Sequence, residues 1–192
     1  MATYAVRTRR WTRAEYDHLI AIGVFRSEER LELLGGELIV SEPQNSDHST
    51  ALGLVDDALR AALPPGWFIR SQCPIELDDE SEPEPDIAVT RGDRRSYRRR
   101  HPSRPALVVE VAEARLAFDR EHKGSLYARA RLGDYWIVNL VDRVLEVYRH
   151  PVPDQSSPFG WRYAAREIIS AESVVEPLAI PGARIRVNDL LP

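Results

Sequence analysis

The stretch ALVVEVA at residues 106–112 is the most apolar run in the chain, and it lacks the polar/apolar alternation of a strand with one wet face. It reads as a strand covered on both sides, inside a sheet with helices packed on it. Glu110 interrupts it. A carboxylate in such a place is costly unless a cation or metal compensates it, so something positive is expected nearby.

Working outward, two further acids stand where strands should be apolar. Asp86 opens DIAVT (86–90) directly after Pro85, and Glu32 interrupts LELL (31–34). If the strands bearing Asp86 and Glu110 are neighbours, about 4.8 Å apart, their carboxylates can share one divalent ion. Oxygen ligands without cysteine favour Mg²⁺ or Mn²⁺ over zinc. Downstream, residues 116–131 predict a helix whose positions Leu116, Asp119, Lys123, Leu126, Tyr127 and Ala130 fall on one mostly apolar face. That face should pack on the sheet and carry Lys123 toward the carboxylates, where it would orient water or offset charge on a phosphoryl oxygen. The plainer role for Lys123 is an ion pair with Asp119 one turn earlier.

The remaining elements frame this centre. Thr12 and Glu15 form a capping-box signature for a helix over 12–22, and RLELLGGELIV (30–40) reads as a hairpin around Gly35-Gly36. Ser46 or Asp47 caps a second helix with Leu52, Val55, Leu59 and Leu63 at helical spacing, His48 in its first turn and Pro64-Pro65-Gly66 at its end. Residues 67–73, PIEL (74–77), DYWIVNL, RVLEVYR and several short C-terminal segments read as strands. The expected class is α/β, a single domain over residues 1–192 with a mixed sheet flanked by helices.

Composition narrows the field. At 192 residues, 43% hydrophobic and 29% charged, the chain has the material for one core and is not disordered. Cys73 is alone, which excludes an intrachain disulfide and a cysteine-based zinc cluster. No apolar run approaches a membrane span and no apolar stretch follows the basic N-terminus, so the expectation is a cytoplasmic protein with no membrane partner. Of the 26 basic residues, 25 are arginine and the exception is Lys123. Lysine is a compact charge whose properties shift on burial, unlike arginine, so its single use marks the position. Charge is also segregated: residues 28–86 hold 15 acids against 3 arginines, whereas residues 91–131 hold 12 bases against 5 acids. The run Arg94, Arg95, Arg98, Arg99 and Arg100 is expected to line a groove for a phosphate backbone, or else to be a solvated loop.

Pro85-Asp86, followed by a hydrophobic strand ending in Glu110-Val111, is similar to the PD-(D/E)XK pattern of the restriction-endonuclease-like superfamily. One branch, the Uma-two family of endonucleases, resembles the chain further. The likeness runs through Trp11, Thr12 and Tyr16, through Arg30, Glu32, Leu33, Gly36 and Glu37, and through His48. It continues in Gln72, Pro74, Ile75 and Glu82 to Asp86, in Asp119, Lys123 and Tyr127, and in Tyr135 to Val138. The resemblance implies a restriction-endonuclease-like mixed sheet with an N-terminal helix-hairpin and extra C-terminal strands. It also implies Mg²⁺ or Mn²⁺ held by Asp86, Glu110 and the Val111 backbone carbonyl. Glu32 becomes an auxiliary acid, with His48, Asp119 and Gln72 as further auxiliaries, and Lys123 is the family's lysine moved from strand to helix. The usual lysine position, two after the Glu, is Ala112. Two departures stand out: Glu113-Ala114-Arg115-Leu116 replaces a Ser-Pro-Ser/Thr turn, and Asn139 replaces an Asp.

The reading is therefore a metal-dependent endonuclease acting on nucleic acid, with DNA the expected substrate, and expected as a homodimer. The alternatives are a catalytically silent nucleic-acid-binding or assembly module, and a sugar hydrolase using two carboxylates without metal.

Overall fold

The computed structural model describes residues 8–26, 29–41 and 44–192. Thr12 caps the first helix, α1 (Arg13–Ala21), in the predicted reciprocal box: its hydroxyl accepts from the Glu15 N–H, and the Glu15 carboxylate accepts from the Thr12 N–H. Gly35-Gly36 then turns β1 (Leu31–Leu34) back into β2 (Glu37–Val40). Both glycines are left-handed, at φ 58° and 83°, and neither has room for a side chain. A Cβ at Gly35 would collide with the Phe159 ring, and one at Gly36 would fall 2.7 Å from Arg10. Helix α2 (Ser46–Ala62) is capped one residue earlier than expected, by Asn45, whose side-chain oxygen accepts from the His48 N–H.

Six strands form the main sheet: β3 (Trp67–Ser71), β4 (Ile87–Arg91), β5 (Leu107–Ala112), β6 (Asp134–Asn139), β7 (Val144–Pro153) and β8 (Trp161–Ile169), side by side in that order. Only β5 and β6 run parallel. A parallel pair needs a long crossover. Here its middle is continuously helical: α3 (Leu116–Phe118), a π-helical turn over Asp119–Lys123, then α4 (Gly124–Arg129). Short β9 (Val174–Val175) and β10 (Ile185–Arg186) pair as the extra C-terminal strands.

Each face of the sheet has its own core. Ala51, Val55 and Leu59 of α2 pack on one side with Val109, Val111, Trp136 and Val138. On the other, Tyr127 and Ala128 of α4 cover Val108, Ala112, Tyr135 and Ile137. The predicted double cover of β5 is met: all six of its residues are buried.

One expected strand does not form. PIEL (74–77) is irregular, because Gln72 at φ 50° turns the chain out of β3 and Pro74 has no N–H to give a ladder. Residues 74–83 instead fold back on themselves, the Ile75 N–H bonding Pro83 O and the Leu77 N–H bonding Ser81 O. Among the described residues no helix is long and apolar enough to cross a membrane.

Candidate active site

Glu110 projects from β5 on the α4 side, in line with Val108 and Ala112, and is only 3% exposed. Its Oε1 accepts two hydrogen bonds, from Lys123 Nζ at 3.0 Å and from the Tyr127 hydroxyl at 2.7 Å. Its Oε2 faces the Asp86 N–H at a long 3.4 Å. Burial pushes the Glu110 carboxyl well above the usual carboxylate range; Lys123 opposes the rise, and the Asp86, Asp119 and Glu32 carboxylates add to it.

Asp86 stands just before β4, whose Ile87 pairs with Val109, so antiparallel register brings it beside the end of β5. Its Oδ2 accepts from the Val111 N–H at 2.8 Å and meets His48 Nε2 at 3.1 Å, while Oδ1 accepts from Gln72 Nε2 at 3.2 Å. Burial works against its charge, but the His48 and Val111 bonds outweigh it and hold Asp86 below its ordinary value. His48 arrives from the first turn of α2. Its Nδ1 is buried without a hydrogen-bond partner among the described residues. Val111 touches the site through its N–H, and its carbonyl leaves the strand on the same edge.

Lys123 and Asp119 come from the π turn. The Gly124 N–H reaches back five residues to Asp119 O, and a Cβ at Gly124 would lie 3.3 Å from that oxygen, which explains a glycine there. Both side chains are thereby buried against the sheet. The Lys123 amine pairs with Glu110 and, at 3.3 Å, with Glu32 Oε2 rather than with Asp119. Burial opposes its charge, but Glu110, Glu32, Asp119 and Asp86 keep it protonated. Glu32 also accepts from Ser41 Oγ at Oε1, 2.9 Å, and from the Glu84 N–H at Oε2, 3.1 Å. These contacts tie the β1–β2 hairpin to Lys123 and the site. Among the described residues none donates a hydrogen bond to the Asp119 carboxylate, which burial raises above its ordinary value.

These groups line an open cavity of about 140 Å³. Four buried carboxylates, Glu32, Asp86, Glu110 and Asp119, face one buried ammonium. That excess of negative oxygen suits a hard divalent cation. Among the described residues no three of Asp, Glu, His and Cys converge closely enough to cage an ion unaided. Mg²⁺ fits such a site, because it commonly takes one or two carboxylates and keeps several waters, each occupying about 30 Å³.

The arginines at the cavity are Arg30 and Arg115. Arg30 lies two residues before Glu32, hence on the same strand face, which is the signal that would have singled it out. The run expected to line the groove, Arg94, Arg95, Arg98, Arg99 and Arg100, does not border the cavity. It begins beyond the far end of β4 and then turns back toward β3, where the residue after its last arginine, His101, lies 2.8 Å from Arg70. Within it Arg94 lies over Phe68 and Arg100 pairs with Glu76, while Arg91, just before it, lies over Trp67. The altered segment after Glu110 does border the cavity, with Glu113 held by Asn45 Nδ2 at 2.6 Å.

A comparison with curated proteins found no match. Among solved structures, the chain is similar to a putative nuclease belonging to DUF820 from Anabaena variabilis, with a TM-score of 0.64 and 13% identity over 88% of this chain and 94% of that one. At that identity the likeness concerns the fold alone. The family model for Uma2, described as "Putative restriction endonuclease", matches residues 13–188, which is nearly the whole sequence. The chain belongs to the Uma2 family, the Uma-two family that its motifs resemble.

Proposed function

We propose that the protein is a metal-dependent endonuclease that hydrolyses phosphodiester bonds in DNA. The observation that carries this reading is the Lys123 amine, buried and 3.0 Å from Glu110 within a group of four carboxylates that it cannot neutralise alone. Asp86 and Glu110, with the Val111 carbonyl on the same strand edge, are the residues that would hold Mg²⁺ or Mn²⁺. A divalent ion there supplies Lewis-acid polarisation of the phosphate and a more acidic water. Lys123, fixed by Glu110 and Glu32, offsets charge on a phosphoryl oxygen as it builds. The Asp119 carboxylate, which has no donor among the described residues, is available to hold the attacking water. Arg30 and Arg115 meet the scissile phosphate's neighbours at the cavity, while the Arg94–Arg100 segment contacts backbone further along the duplex.

The test is incubation of the purified protein with plasmid and single-stranded DNA in Mg²⁺, Mn²⁺ or EDTA, beside Asp86→Ala and Lys123→Ala. The expected result is cutting that EDTA stops and that both substitutions abolish. Cutting that survives Asp86→Ala overturns the mechanism.

A second reading, a nucleic-acid-binding module without cleavage, is favoured by one feature: Asp86 already has hydrogen bonds from Val111, His48 and Gln72, and so is satisfied without an ion. It predicts salt-sensitive DNA binding with no cutting under any metal.

A further inference from the structure

We propose that Tyr127 is a positioning residue that acts through Glu110, fixing which carboxylate oxygen faces the cavity; the proposal rests on the reading of Glu110 as a metal ligand. Two donors, the Tyr127 hydroxyl at 2.7 Å and Lys123 Nζ at 3.0 Å, converge on Oε1. Oε2 has only the distant Asp86 N–H at 3.4 Å, so its lone pairs remain open. The division of labour between the two oxygens is therefore set by what holds Oε1.

Of the two donors, Tyr127 is the stiffer. Its ring is fully buried and meets the Tyr135 ring edge-on at 5.0 Å between centroids, in a cluster that continues through Tyr148 and Tyr163. Lysine carries its charge on a flexible four-carbon stem, whereas tyrosine directs its hydroxyl with two torsions. Tyr127 lies four residues after Lys123, so both donors descend from the same helical face onto one oxygen. A buried phenol needs a partner, but a phenylalanine would fill the same space without one. The hydroxyl's place is thus explained by Glu110 and not by packing. Groups that orient a metal's ligands commonly change its affinity about 10–100-fold when removed.

The experiment uses the full chain as wild type, Tyr127→Phe, Tyr163→Phe and Asp86→Ala, with Mn²⁺ binding followed by calorimetry and folding by thermal melting. Tyr163 is the matched control, because it sits in the same cluster but gives its hydroxyl to Leu132 O. The expected result is a melting temperature for Tyr127→Phe within a few degrees of wild type and an Mn²⁺ affinity about 10-fold weaker, with Tyr163→Phe unchanged. Wild-type affinity in Tyr127→Phe, with binding lost in Asp86→Ala, overturns the role of Tyr127 alone. Wild-type affinity in Asp86→Ala as well overturns the metal reading, and the Tyr127 role with it. A second measurement needs no change at residue 127: the resonance of the buried, hydrogen-bonded Tyr127 phenolic proton in NMR should shift as Mg²⁺ saturates the wild-type protein. A resonance that does not move overturns the proposal.

Discussion

Glu110 and Glu146 occupy one row of the same sheet face, since Ile137 pairs with Glu110 on one side and with Glu146 on the other. Both side chains are buried, and both are met by residues of the same π turn, Lys123 for Glu110 and Arg120 for Glu146. Their surroundings are opposite. Glu146 receives Arg120, Tyr148, Asn139 and Arg166, and although burial opposes its charge, these donors bring its carboxyl down to about 2. Glu110 shares its one lysine with Glu32, and burial together with the nearby Asp86, Asp119 and Glu32 carboxylates raises it instead. A buried acid is thus not a site by itself. One whose donors exceed its charge is a structural joint, and one whose neighbours are also acids is where, on the proposed function, a cation would be held.

The largest expected effect separates the two acids by activity. Glu110→Gln should abolish metal-dependent cleavage, by about 10³-fold or more as expected for a lost metal ligand, while its metal-free melting temperature stays near wild type, since the glutamine oxygen still accepts from Lys123 and Tyr127, Lys123 keeps Glu32, and one of four crowded carboxylates is gone. Glu146→Gln should keep cleavage in the folded fraction and lower stability. Equal losses of activity at equal stability in the two variants would erase the distinction. Lys123→Arg is next: the fork-shaped guanidinium does not fit the place of a buried ammonium, so cleavage should fall by about 10²-fold with Asp86 still able to take metal. Full cleavage would mean that the lone lysine has no special task.

The third effect is pH-dependent stability at Glu146. Its carboxyl lies at about 2 in the fold against an ordinary 4.5. Its contribution is complete above the ordinary value and disappears as pH falls through the folded one. That shift corresponds to on the order of 3 kcal/mol. Denaturant titrations of wild type and Glu146→Gln should therefore differ most near neutrality and converge between pH 5 and about 2. A gap that stays constant down to pH 2 would show that the joint is not electrostatic.

The comparison also marks how far the sequence could be read. The double cover of β5, the juxtaposition of Asp86 with Glu110 and the approach of Lys123 all follow from local patterns: an apolar run, two neighbouring strands and a helical stripe. The π turn does not, since the reach from the Gly124 N–H to Asp119 O leaves no periodic trace over five residues. Without it, Arg120 and Lys123 cannot be assigned to different carboxylates. Glu146 passes as an ordinary polar position in RVLEVYR, because its partners Arg120, Asn139 and Arg166 are scattered along the chain and meet only across the sheet. The Arg94–Arg100 run follows the Asp86 strand in sequence but does not border the cavity, because β4 leads away from it before the run begins. Tyr127 is visible as a member of the apolar stripe, but its hydroxyl's partner is a matter of tertiary geometry.

The smallest expected effect turns one environment a step toward the other. Asn139 is fully buried, and its Nδ2 donates to Glu146 Oε1 and to Asp142 Oδ2, each at 2.8 Å. Asn139→Asp keeps the shape, removes both donations and sets a carboxylate against Glu146, so the joint acquires some of the repulsion that characterises Glu110. The lost bond to a charged group is worth about 1.5–3 kcal/mol, but Arg120 and Arg166 remain to absorb the added charge, so a fall of about 1 kcal/mol is expected at neutral pH. The acid side carries the sharper signature. With the introduced carboxylate repelling it, Glu146 would take up its proton at a higher pH than in wild type, and the fall in stability on acidification would begin earlier. Denaturant titrations at pH 7, 5 and 3 would measure both. An unchanged acid limb would mean that the two arginines alone set the state of Glu146, and the contrast with Glu110 would then reduce to a count of cations.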